Sequence, residues 1–94
     1  MIKHVYLYKF KNRDDAKKVY EKLKTMTDHI ESIYELEIGI DFTNSAKSYD
    51  LIQIAAFRTM DDFKAFTEHP YHEEMRVFLK PYVDSGYKVD YQIG

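Results

Sequence analysis

The stretch Ile2-Lys3-His4-Val5-Tyr6-Leu7-Tyr8-Lys9-Phe10 decides the fold class, because its side chains alternate strictly in character. Successive residues of an extended chain point to opposite faces, so Ile2, His4, Tyr6, Tyr8 and Phe10 share one face and Lys3, Val5, Leu7 and Lys9 share the other. This is a strand, and neither of its faces suits water.

Outward from it the period changes. Asn12 or Asp14 can cap a helix in which Ala16, Val19, Tyr20, Leu23, Met26, Ile30 and Ile33 recur at steps of three and four, the stripe of a helix lying on a sheet. Residues 34–42 alternate again, with Tyr34, Leu36, Ile38, Ile40 and Phe42 opposite Glu35, Glu37, Gly39 and Asp41, and lead into a polar loop at 43–48. Gly39 in that strand marks a bulge or a close backbone approach. Residues 49–57 are apolar on both faces apart from Asp50 and Gln53, as expected of a central strand covered on two sides. Met60, Phe63 and Phe66 stand at helical spacing. His69-Pro70 interrupts them, and because proline suits a first turn, a fresh helix is expected over about 71–79. Pro81 and Gly86 then stop the helix, and Tyr87, Val89, Tyr91 and Ile93 alternate with Lys88, Asp90 and Gln92 as a fourth strand. The order βαββαβ predicts an α+β, ferredoxin-like domain over residues 1–94, a four-stranded antiparallel sheet with its helices on one face.

Composition narrows the function classes. A chain of 94 residues has room for one modest core, burying roughly two-thirds of its unfolded surface, so a partner surface would add stability. No apolar run approaches the ~20 residues of a membrane span, the N-terminus lacks the apolar core of a signal peptide, and there is no cysteine. A cytoplasmic protein without membrane contact, disulfides or thiolate metal sites is expected. The net charge of −2 divides unevenly: through Lys24 there are eight basic residues against three acidic ones, and thereafter six against thirteen. Lysine and glutamate interleaved on a solvated helix explain the basic start, and no nucleic-acid partner is inferred.

Helices can cover only one face of the sheet. The other must hold either Val5 and Leu7 or the aromatic set that begins at His4, and two sheets packed face to face would bury it in both copies. Patterning therefore predicts a homodimer.

Taken together, KHVYLYKFK at the N-terminus, Glu37-x-Gly39-x-Asp41, the Tyr49-Asp50 start of the third strand, the His69-Pro70-Tyr71-His72 joint and the closing Val89-Asp90-Tyr91 resemble the stress-responsive A/B barrel (Dabb) family over nearly the whole chain. Where that family often has Pro-Gly before the second strand, this chain has Ser32-Ile33-Tyr34. The resemblance implies a dimeric α/β barrel, and its enzymatic relatives include a plant polyketide cyclase of the olivetolic acid type. By position, that cyclase's two histidines correspond to His4 and His72, and its catalytic tyrosine falls on Phe66, which has no hydroxyl to exchange a proton. The cyclase mechanism does not transfer intact.

The resemblance also sets His4, Tyr6 and Tyr8 on the helix-facing side, opposite the helix near His72. Imidazole titrates near neutrality, and Asp41 or Asp90 is available to orient it, so His72 and His4 are the candidate acid and base. Tyr6, Tyr8, Tyr20, Leu23, Phe66 and His69 are the candidate ligand-pocket residues. The plainer reading makes His72 a helix-start residue and the tyrosines core aromatics. His69 and His72 lack a third metal ligand, His29 faces solvent, and neither a metal nor another cofactor is expected. Three functions follow: a dimeric barrel binding a small hydrophobic or aromatic ligand, a cofactor-independent enzyme (polyketide cyclase, isomerase or monooxygenase-like) using His72 and His4, or a purely structural dimer. A cavity large enough for a ring compound separates the first two from the third.

Overall fold

The alternating stretch at the N-terminus is strand β1 (Ile2–Phe10) of the computed structural model, which describes residues 1–94. After a single 3-10 turn (Arg13–Asp15), capped by the Asn12 side chain accepting the Asp14 amide at 3.0 Å, come α1 (Ala16–Lys24), α2 (Met26–His29), β2 (Glu35–Ile40) and β3 (Leu51–Phe57). Then follow α3 (Met60–Thr67), α4 (Pro70–Leu79) and β4 (Val83–Gln92). The sheet order is β2-β3-β1-β4, antiparallel throughout, which places the two most apolar strands in the centre. This is the ferredoxin-like α+β fold expected from the order of elements.

Register shows how the faces are assigned. His4, Tyr6 and Tyr8 lie opposite Ala55, Gln53 and Leu51 of β3 and opposite Asp90, Lys88 and Gly86 of β4, so these residues share the helix-covered face. The core sits there, with Ile2, Tyr8, Phe10, Leu51, Ala55 and Phe57 meeting Val19, Leu23, Met26, Phe66, Met75 and Leu79. The opposite face carries Val5, Leu7, Ile52 and Ile54 flanked by Tyr87 and Val89, the last two 68% and 61% exposed. An aliphatic and aromatic patch of this kind on one sheet face is the type of surface at which proteins associate.

Four local expectations change. The first helix does not run on to Ile33: the Thr25 hydroxyl bonds back to the Lys22 carbonyl at 2.6 Å, the helix breaks there, and Ile30 is already extended. The second strand is shorter than 34–42, as Asp41 turns away to accept the Asn44 amide at 2.7 Å, with Asn44 at φ 49°. Gly39 forms no bulge; it pairs in register with Ile52, whose methyl would lie 3.3 Å from an added Cβ. Gly86 does not stop anything. It lies inside β4, which begins at Val83, and its missing Cβ leaves space for the Tyr6 ring, 2.5 Å from where that carbon would be.

The loop after β2 is anchored by a buried carboxylate. Asp50 is 1% exposed and accepts from the Phe10 amide at 2.8 Å and the Arg13 guanidinium at 2.9 Å. Arg13 reaches on to the Asp41 carbonyl and carboxylate, tying both ends of the loop to the start of the helical layer. No helix is long and apolar enough to cross a membrane.

Candidate functional site

Proline explains the position of the site. Pro70 takes the first position of α4, and the His69 Nδ1 accepts the Tyr71 amide at 3.0 Å as the cap. The helix therefore starts at a fixed point, and the residues it brings to the site follow at helical spacing: His72, Met75 and Leu79 inward, with the exposed Arg76 at the rim. Facing them across the layer are His4, Tyr6 and Tyr8 of β1, Gln53 of β3 and Lys88 of β4, while Phe63, Phe66 and Thr67 of α3 close one side. Between them lies a cavity of about 500 Å³, within the range of small-molecule sites.

At one end stand the two imidazoles. His4 is 7% exposed, and its Nδ1 is hydrogen-bonded to the Asp90 carboxylate, which also accepts from Lys88 Nζ at 2.8 Å. Burial raises the Asp90 pKa, but the bonds from Lys88 and His4 and their positive charge outweigh it and hold the carboxyl below its ordinary value. The bond to Asp90 engages Nδ1 and leaves Nε2 as the His4 nitrogen free for proton exchange. His72 is half-buried; burial first, then positive charge on His4, push its pKa below the usual 6.5, so the ring is neutral at neutral pH and able to accept a proton. Phe66 packs against both imidazoles, its ring centroid 5.7 Å from that of His4 and 4.7 Å from that of His72. No hydroxyl stands at that position.

Along the strand, Tyr6 stacks on Tyr8 with centroids 4.5 Å apart, and the Tyr8 hydroxyl donates to Gln53 Oε1 at 3.3 Å. Burial, and next the neighbouring Tyr6, push the Tyr8 phenol above its ordinary range, so it remains protonated. These rings offer flat apolar walls and neutral hydroxyls.

Of the residues expected at a site, His4, His72, Tyr6, Tyr8 and Phe66 come together around this cavity. Three do not line it. Tyr20 borders a separate shallow groove with Leu36 and Ile38, Leu23 is fully buried in the core, and His69 is the cap of α4. Asp90, not Asp41, is the carboxylate beside an imidazole; Asp41 serves Arg13 and its own loop. His29 is exposed as expected, yet it stacks on Tyr71 at 4.0 Å. Sequence reasoning missed Gln53, Phe63, Met75, Arg76, Lys80 and Lys88 as lining residues. The helical spacing from His72 through Met75 and Arg76 to Leu79 and Lys80 was the signal for half of them.

The profile of the family described as Stress responsive A/B Barrel Domain matches residues 2–93. Among solved structures, a dimeric ferredoxin-like protein of unknown function from Thermobifida fusca superposes with a TM-score of 0.85 at 22% identity, covering 98% of this chain and 90% of that one. An Arabidopsis thaliana protein gives 0.84 at 21% identity over 100% and 96% of the two chains. A hydroxynitrile lyase from Passiflora edulis gives 0.84 at 15% identity over 99% and 93%. A comparison with curated proteins finds no match. At these identities the solved structures speak for the fold alone, and it is the profile match along almost the entire chain that places this protein in the stress responsive A/B barrel domain family.

Proposed function

We propose that this chain is a homodimeric α/β barrel whose subunits each bind a small aromatic or hydrophobic molecule between sheet and helices. The observation that carries the reading is the cavity of about 500 Å³ with Phe63, Phe66 and Met75 on its apolar walls and His4, Tyr6 and His72 as polar groups. Such a mixture of apolar walls and few polar groups is the usual make-up of a small-molecule site. The dimer rests on the apolar sheet face, and charge supports it: Lys3 and Lys9 flank that face on β1 while Glu35 and Glu37 lie on it at β2, an arrangement that a two-fold axis can make complementary. The Thermobifida fusca relative is itself dimeric.

A titration with small phenols and aryl ketones, followed by amide correlation spectra, tests the binding. Shifts concentrated at His4, Tyr6, Phe66 and His72 are expected. Shifts confined to the open sheet face, or none, would overturn the reading.

A second reading, a cofactor-independent enzyme, is favoured by one observation: a neutral, half-buried His72 faces the same cavity as the carboxylate-paired His4. In that reading His72 takes a proton from the ligand and His4, in its imidazolium form with the Nδ1 proton on Asp90, gives one from Nε2; exchange with solvent then returns both rings to their starting states, and each transfer needs only hydrogen-bond reach. A hydroxynitrile lyase shares the fold, though fold likeness says little about chemistry. Turnover of an aryl carbonyl compound that vanishes in His72→Ala would support it, and unchanged turnover would remove His72 from the role.

A further inference from the structure

The charged residues lining the cavity are Arg76, Lys80 and Lys88, all of one sign, in a chain whose net charge is −2. Two of these cations are already engaged: Arg76 pairs with Glu73 at 2.7 Å, and Lys88 pairs with Asp90 at 2.8 Å. Lys80 pairs with no carboxylate. It follows α4 directly, eight residues on from His72, and a helix rises 1.5 Å per residue, so the two stand roughly 12 Å apart along the axis. They mark opposite ends of the cavity. The imidazole end is walled by the Phe63 and Phe66 rings, both within 6.0 Å of His4 by centroid. The other end has the Lys80 ammonium, exposed at the C-terminus of α4, where the helix carbonyls favour a cation but supply no full counter-charge.

We propose that the ligand is an elongated apolar or aryl monoanion, its acidic head at Lys80 and its ring between Phe63, Phe66 and His72. This rests on the binding reading above and names the class of molecule for the same site. The open hydrogen-bonding capacity of the wall favours such a head: the Lys80 ammonium can only donate, and the Tyr6 hydroxyl, which has no protein partner, is free to donate as well. A cationic ligand would meet three positive side chains. A neutral one would accept a hydrogen bond from Lys80 at most, without the attraction of opposite charge.

The test compares 6-phenylhexanoate with 6-phenylhexan-1-ol by isothermal titration calorimetry, since the pair differs only in the head group. The acid is expected to bind more tightly by about fivefold or more, the scale of a partly exposed ion pair. Lys80→Gln should erase that preference by lowering the acid's affinity toward that of the alcohol, and Lys80→Arg should retain it. Equal affinity for acid and alcohol, or a preference that survives Lys80→Gln, overturns the anion proposal but leaves the cavity as a binding site. Binding of neither compound overturns both.

Discussion

Replacing Gly86 by alanine tests how the strand register shapes the cavity wall. A Cβ at this position would lie 2.5 Å from Tyr6 Cε1, 2.9 Å from the Tyr6 hydroxyl and 3.0 Å from the Leu7 carbonyl oxygen. The ring can retreat only toward the cavity, because Tyr8 stacks on it at 4.5 Å, and the carbonyl belongs to the central strand. Overpacking of this kind costs about 1–3 kcal/mol. With unfolding entropy near 2.1 cal/mol/K per residue, a chain of this length should lose about 5–15 °C in Tm. The assay is thermal unfolding by circular dichroism of Gly86→Ala, Tyr6→Leu and the double variant. Because the clash is between neighbours, the double variant should be more stable than the sum of the single losses allows. A Gly86→Ala protein that melts within 2 °C of the parent, the ordinary scatter for a neutral surface change, would refute the reasoning.

Three further outcomes are expected. His72 has its pKa lowered in the fold, so the unfolded chain takes the proton first as pH falls; its contribution is intact above 6.5 and declines below that, and His72→Gln should flatten the fall in Tm between about pH 7 and pH 5. Asp50→Ala should cost about 3 kcal/mol by denaturant unfolding, since it strips the Phe10 amide and Arg13 of a partner that is 1% exposed; a loss below 1 kcal/mol would show that the loop anchor is dispensable. Val89 is 61% exposed and would be covered twice in a two-fold dimer, so Val89→Asp forfeits about 2–4 kcal/mol of burial. By sedimentation velocity its dissociation constant should rise at least thirtyfold, about 2 kcal/mol, and an unchanged constant would remove the sheet face from the interface.

Strict alternation made β1 legible to the residue, and Pro70 placed the start of α4, because both signals are local and sterically strict. The start of β4 was not legible. Val83-Asp84-Ser85-Gly86 has no alternation of its own and is extended only because β1 pairs with it, with a register shift at Lys9 and Phe10. Tertiary pairing also hid the chemistry. His4 and Asp90 are 86 residues apart and meet because the β1–β4 register puts them opposite one another. The same register chose between the two faces of β1, turning the aromatic set toward the helices and leaving Val5 and Leu7 open. Asp50, a charge within an apolar run, was visible as an anomaly, but its partners Arg13 and the Phe10 amide come from a distant segment. Tyr20 and Leu23 lie on the apolar stripe of α1, and that stripe packs into the core and a neighbouring groove, away from the cavity.

Native mass spectrometry at low micromolar concentration, with 6-phenylhexanoate added, tests the binding dimer most directly because it reads subunit number and ligand together. Two chains carrying one ligand each are expected. A monomer that takes up no ligand would contradict both the interface on the open sheet face and the site between sheet and helices.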